Sequence, residues 1–157
     1  MPGPWLERSV YISQFIPAGA SVLDFGAGEQ DLRGLLMPDG LESPSSRVSR
    51  YVPVDMVKTT PDTRLCDFNA GKWPQIREKF DVVVVAGVLE YANDPAKVLR
   101  RLKGYGATIL LSYLRKPWFH PWPKFLAPDE LVATAKAEGF TIERVGRNHG
   151  GIVYRLT

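Results

Sequence analysis

Apolar residues along this chain follow two rhythms, and the alternation between them predicts an α/β architecture. FDVVVVA at 80–86 sets four valines in a row, the pattern of a strand buried on both faces in a parallel sheet covered by helices. Shorter strands are predicted at 21–25, 50–54, 63–65 and 108–112, with a final pair at 140–145 and 151–156. Helical spacing of Trp5, Leu6, Val10, Tyr11 and Phe15 predicts a helix over 5–16, which Pro17 and Gly19 end. Others are predicted over 30–37, stopped by Pro38, Asp39 and Gly40, and over 128–138, stopped by Gly139. A further helix starts at Pro95, with Asp94 as its cap, and stops at Gly104. Arg100, Arg101 and Lys103 crowd its last turn, where cations favour the helix dipole. Only 146–150 separates the last two strands, too little for a parallel crossover, so these two pair antiparallel. The pattern as a whole is a mostly parallel sheet finished by an antiparallel hairpin.

The stretch VLDFGAG at 22–28 runs a buried strand straight into a glycine turn. Gly26 and Gly28 remove side chains where the chain bends and leave its amides open, which matters only if something approaches the backbone closely. A dinucleotide fingerprint needs a third glycine at 31, where Asp31 stands, and no phosphate loop G-x-x-x-x-G-K-[ST] occurs. Glu29 and Asp31 put negative charge at the start of the next helix, which suits the helix dipole and repels a pyrophosphate. The ligand expected is therefore a nucleoside without phosphates, one that tolerates or carries positive charge. Asp55 ends the second strand, where a carboxylate is placed to hold ribose hydroxyls, and the Pro/Ser/Gly-rich loop at 38–49 lengthens the interval from Gly28. Pro53 cannot donate to a sheet ladder and is placed at the strand end. Asp67 and Phe68 follow the third strand as an acceptor for an exocyclic amine and a cover for a base.

Composition adds boundaries. The chain has 157 residues, enough for one domain with a real core and too few for a separate substrate domain. Residues 1–19 form an N-terminal arm and helix, and the aromatic, proline-rich segment at 113–127 is expected to act as a lid. No apolar run approaches the roughly 20 residues of a membrane helix, and the first residues lack a signal-peptide pattern, so a cytoplasmic protein is expected. Cys66 is the single cysteine, which excludes an internal disulfide and a multi-cysteine metal site; no metal is expected. A net charge of +3 is too small to indicate nucleic-acid binding by itself.

Taken together, VLDFGAG at 22–28, VDMV at 54–57, CDFN at 66–69 and FDVVVVAGVLEYANDP at 80–95 resemble the class I S-adenosylmethionine-dependent methyltransferases, specifically the small-molecule type with a minimal core. LAPDELVATAKAEGFTIERV is similar to that family's C-terminal part. The resemblance implies a Rossmann-like three-layer sandwich with a seven-stranded, mostly parallel sheet whose last strand is antiparallel. It also implies S-adenosyl-L-methionine as cofactor. By motif, Asp24, Gly26 and Gly28 would face its methionine part, Asp55 its ribose, Asp67 and Phe68 its adenine, and Gly87 and Val88 its sulfur, with Met56 beside Asp55 as a further cofactor-binding residue. Two positions depart from the pattern: Gln30 stands where the family often has a third glycine, and Tyr91 where it often has a histidine.

Methyl transfer from a sulfonium needs chiefly proximity, orientation and exclusion of water. Glu90 and Tyr91, just past the fourth strand, and His120, among Trp118, Phe119 and Trp122, are the candidate acceptor-side or catalytic residues; His149 is read as a turn residue. Transfer to a small-molecule acceptor is the leading expectation. An RNA methyltransferase and a cofactor-binding module without catalysis are the alternatives, and the oligomeric state stays open.

Overall fold

Seven strands form one sheet: β1 (Ala20–Phe25), β2 (Val48–Asp55), β3 (Arg64–Leu65), β4 (Phe80–Ala86), β5 (Gly106–Leu114), β6 (Ile142–Asn148) and β7 (Gly151–Leu156). They lie in the order β3-β2-β1-β4-β5-β7-β6, with the valine strand β4 at the centre. The computed structural model describes residues 3–117, 122–148 and 150–157. Helices α1 (Pro4–Ser13), α2 (Asp31–Leu36), α3 (Pro95–Leu102) and α4 (Pro128–Ala137) cover the sheet. β7 runs antiparallel to both β5 and β6, as expected for the hairpin, while the neighbours from β3 to β5 pair in parallel.

The register sorts the strand residues by face. Leu23, Phe25, Val83, Val85, Ile109 and Leu111 belong to one core, with Val98, Leu99 and Leu102 of α3 and Leu131 and Ala135 of α4. Val22, Val82, Val84 and Leu110 belong to the other, with Ile12 of α1 and Leu32 and Leu36 of α2. Two-sided burial is what four consecutive valines require, since alternate side chains leave the sheet on opposite faces. Asp24 alternates with Val22 onto the α1–α2 side, at a position the pattern reserves for a core residue.

Pro53 sits inside β2 rather than at its end, opposite Asp24. The Val54 carbonyl accepts on the β1 side from Gly26 and Ala27, and the Asp55 carbonyl accepts on the β3 side from Cys66. Alternation therefore turns the Pro53 nitrogen toward the β3 side, where that two-residue strand has not yet begun and no donor is needed.

Other boundaries shift for local reasons. α1 ends at Ser13, three residues before the expected stop, and α2 has six residues before Pro38. β5 continues through Leu114, which takes Tyr113 out of the expected lid. The Tyr113 ring is buried against Phe125 at 5.3 Å, and its hydroxyl accepts from the Leu126 amide at 2.9 Å, so it is a core residue. The cations at the end of α3 do more than face a dipole. Arg100 makes a two-pronged pair with Glu138, Lys103 donates to the Glu138 and Gly139 carbonyls, and Arg101 stacks on Trp73. Asp94 caps α3 through the Lys97 amide, as its position predicted.

Candidate active site

At the carboxyl ends of β1, β2 and β4 the chain leaves a cleft of about 450 Å3, within the roughly 300–1,000 Å3 typical of small-molecule sites. The glycine turn makes its floor. Gly26 has φ +83°, and a Cβ there would collide with the Val88 side chain. Its amide and that of Ala27 both donate to the Val54 carbonyl, locking the turn to β2. Gln30, the departure from the glycine pattern, takes the glycine-like backbone instead: φ 63° and ψ 37°, the only positive-φ non-glycine among the described residues. Its buried side chain holds that conformation by donating to Thr60 and Thr63 while accepting from Arg33. The glutamine thus ties the glycine turn to the loop that follows β2.

Asp55 stands at the cleft edge with both carboxylate oxygens aimed by the backbone. One accepts from the Gly28 amide at 2.8 Å and the other from Val57 at 3.1 Å. Each oxygen keeps further accepting capacity toward a ligand hydroxyl. Met56 lines the same side, and Phe68 lines the far wall, stacked on Phe25 at 6.1 Å. Asp67 does not line the cleft: its carboxylate caps the one-turn 3-10 helix at Phe68–Ala70 by accepting from the Ala70 amide. Cys66 does line it, buried, its thiol pushed up to about 11 by that burial, which leaves it an unreactive apolar surface at neutral pH.

Asp24 also lines the cleft, 4% exposed, and accepts a 2.5 Å hydrogen bond from the Tyr51 hydroxyl. Burial pushes its carboxyl up to about 6, opposed by that hydrogen bond and by the charge of Arg8, and reinforced by the neighbouring Asp55. Gly87 (φ +66°) and Val88 line the cleft as well, and the Arg8 guanidinium occupies the space a Cβ at Gly87 would need.

Sequence reasoning missed Arg8. Periodicity placed Trp5, Leu6, Val10, Tyr11 and Phe15 on the inner stripe of α1, yet Trp5, Arg8, Ser9 and Ile12 line the cleft and Val10 is exposed. The spacing i, i+3, i+4, i+7 was present, but a polar pair within it hid the stripe from a search for apolar residues. Tyr51, whose hydroxyl holds Asp24, was likewise hidden inside an ordinary strand.

The acceptor-side candidates separate. Tyr91 lines the cleft and meets Trp122 edge-on at 4.6 Å, while Asn69 holds the turn by donating to the Tyr91 carbonyl and accepting from the Asn93 amide. Glu90 does not line the cleft. It is 2% exposed, and one oxygen accepts from the Leu114 amide at 3.0 Å, tying the turn to β5. The other oxygen is buried without a hydrogen-bond partner, and burial raises the carboxyl pKa. His120, Trp118, Phe119 and His149 lie outside the described residues. Among the described residues no cluster of His, Cys, Asp and Glu is arranged to hold a metal, and no helix is long and apolar enough to cross a membrane.

The fold is one shared with solved S-adenosylmethionine-dependent methyltransferases. Magnesium protoporphyrin IX methyltransferase (ChlM) from Synechocystis PCC 6803, solved with bound SAH, superposes with a TM-score of 0.73 at 13% identity, over 98% of this chain and 83% of that one. The pyocyanin biosynthetic protein PhzM gives 0.68 at 14% identity, over 96% and 54%. A chain of the Pnkp1/Rnl/Hen1 RNA repair complex gives 0.67 at 11%, over 99% and 42%. At these identities the likeness is one of fold. The chain belongs to the family described as methionine biosynthesis protein MetW, whose profile matches residues 7–125. No curated protein matches the sequence.

Proposed function

We propose that this protein is an S-adenosylmethionine-dependent methyltransferase acting on a small-molecule acceptor. The observation that carries the reading is the charge of the cleft. Asp24, Glu29, Asp31 and Asp55 gather around a glycine turn at the carboxyl ends of the strands, an arrangement hostile to a pyrophosphate and suited to a phosphate-free nucleoside with a cationic tail. Bound there, S-adenosylmethionine supplies an electrophilic methyl group on a sulfonium.

The chain's own residues then have defined tasks. Asp55, held by the Gly28 and Val57 amides, accepts from the ribose hydroxyls in charge-assisted hydrogen bonds. Phe68 and Met56 offer apolar walls to the base, and Asp24 offers negative charge to the methionine end. Gly26 and Gly87 keep the floor free of side chains there. Tyr91, backed by Trp122, forms the acceptor side and excludes water, which is most of what an in-line methyl transfer demands. Glu90 supports this turn from beneath rather than exchanging protons with the acceptor, since it does not line the cleft and one of its oxygens is committed to Leu114.

The aromatic rim of Tyr91 and Trp122 supports a small, apolar-bodied acceptor, and the family's description as a methionine biosynthesis protein agrees with a role in small-molecule metabolism. The test is transfer of a tritiated methyl group with small-metabolite extract and total RNA offered in parallel. Label in the metabolite fraction is expected. Label confined to RNA would overturn the acceptor class, and binding of the donor without any transfer would leave only a cofactor-binding module.

A further inference from the structure

Acidic side chains line the cleft, and a second concavity carries the opposite charge. A shallow groove of about 580 Å3 lies between the segment that leads into β4 and the end of α3, lined by Trp73, Ile76, Arg77, Arg100, Arg101 and Tyr105 among others, with no carboxylate among the described lining residues. Two of its three arginines carry charge that no nearby acid offsets. Arg100 is committed to Glu138 in a two-pronged pair, and Glu78, next to Arg77 in sequence, is committed to Arg50 and Arg64. Neither Arg77 nor Arg101 pairs with a carboxylate among the described residues. The dipole of α3 does not account for both: Arg77 lies outside that helix, and Lys79 already donates to the Gly104 carbonyl beyond its end. Tyr105, 5% exposed, keeps a buried hydroxyl without a hydrogen-bond partner, a polar group the fold itself leaves unused.

We propose that this groove binds a small phosphate ester, as a site separate from the cofactor cleft and coupled to it through Trp73. Two guanidinium groups free of carboxylates offer forked donors, which suit the oxygens of a dianionic phosphate. Trp73, Ile76 and Tyr105 line the same groove, so an ester with an apolar body is favoured over inorganic phosphate. A nucleic-acid strand fits less well, because no exposed ring is offered for a base to stack on: Tyr105 is buried, and Trp73 is half-buried with the Arg101 guanidinium 5.4 Å from its centroid. The path to the cleft is short. Phe25 and Phe68 line the cleft, and Trp73 packs on both, with centroids 5.8 and 6.2 Å away. An anion that draws Arg101 toward itself weakens its hold on Trp73 and alters the packing behind those two rings, which links the two sites reciprocally.

The competing account is that these arginines are solvated surface cations. Calorimetric titration of the full chain with phenyl phosphate and with inorganic phosphate, at constant ionic strength and without cofactor, separates the two, and its outcome does not depend on the functional reading above. Saturable binding of phenyl phosphate at one site per chain, several-fold tighter than inorganic phosphate, is expected. Arg77→Gln should weaken it about 10-fold at an unchanged melting temperature. Lys136→Gln, which removes an exposed cation outside the groove, should leave it unchanged. No saturable binding, or equal weakening by both variants, would reduce the groove to general charge attraction and overturn the proposal. Coupling is read by titrating S-adenosylhomocysteine with phenyl phosphate absent and then saturating. The dissociation constant should shift about threefold or more in the wild type and stay fixed in Trp73→Leu. An unshifted constant in the wild type would overturn the coupling. A wild type that binds phenyl phosphate and no S-adenosylhomocysteine would keep the groove, and would remove the reading of the cleft and the coupling with it.

Discussion

The two faces of the sheet are built to different rules. On the α3–α4 side, the buried residues that pack against the strands are apolar almost throughout, from Leu23 and Val83 to Leu99, Leu102 and Leu131. On the α1–α2 side the apolar core gives way, toward the carboxyl ends of the strands, to buried polar groups: Asp24, the Tyr51 hydroxyl, Gln30 and the half-buried Arg8. The first arrangement maximises burial. The second accepts desolvation of charge, which the Tyr51 hydroxyl and Arg8 offset in part at Asp24 and a ligand of opposite charge offsets further. One face therefore sets stability, and the other trades stability for binding.

The largest effect expected belongs to the apolar face. Leu99→Ala, at a fully buried position in α3, should destabilise the fold by about 2–5 kcal/mol through lost burial and a cavity. Denaturant unfolding measures this, and ligand affinity measured where the variant is still folded should stay close to wild type. A large loss of affinity in the folded variant would break the division between the faces.

Asp24→Asn should do the reverse. Asp24 titrates at about 6 against an ordinary value of 3.8, and at 1.36 kcal/mol per unit its ionisation costs the unliganded fold about 3 kcal/mol. The folded state holds the proton more tightly than the unfolded state, so this contribution favours folding below pH 3.8 and is lost as pH rises through 6. The variant, able to accept from Tyr51 through its amide oxygen, should melt higher at pH 7.5, lose that pH dependence, and bind the cofactor far more weakly. In the wild type, affinity should strengthen as pH rises through 6, the opposite direction to stability. Thermal melts and titrations at pH 5 and 7.5 check both signs.

Asp55→Ala should weaken cofactor binding by about 1.5–3 kcal/mol through lost charge-assisted hydrogen bonds. It should also loosen the turn, because Gly28 and Val57 lose their acceptor, whereas Asp55→Asn keeps one oxygen and separates the two losses. Titration beside thermal melting provides the comparison. The smallest effect concerns Gln30. Gln30→Gly and Gln30→Ala both lose the bonds to Thr60, Thr63 and Arg33, but only glycine takes φ 63° without cost. Alanine should thus be the less stable of the two by about 1 kcal/mol, read from urea midpoints.

Much of this division was legible in the sequence, and the part that was not has a physical pattern. Four valines, a glycine turn and an acid at the end of the second strand report local constraints, and β4, the turn and Asp55 lie where those constraints put them. A short interval between the last two strands likewise dictated the antiparallel pair. What escaped depends on neighbours distant in sequence. Arg8 reads as a surface residue until Gly87 is brought beneath it, Tyr51 reads as core until its hydroxyl meets Asp24, and Glu90 reads as a site residue until Leu114 claims it. Tyr113 was assigned to the lid because its aromatic neighbours suggested one segment, while backbone pairing with Ile152 carries it into the sheet. Gln30 looked like a defect in the glycine pattern, and only its three side-chain partners show how a non-glycine holds that backbone.

Calorimetric titration at pH 7.5 with S-adenosylhomocysteine and, separately, NADH tests most directly whether the acid-lined cleft is a site for a phosphate-free, amino-acid-bearing nucleoside. Saturable binding of S-adenosylhomocysteine at one site per chain, with no heat from NADH, is the predicted result. Binding of NADH in place of S-adenosylhomocysteine would contradict the charge argument, because a pyrophosphate would then be accepted among Asp24, Glu29, Asp31 and Asp55.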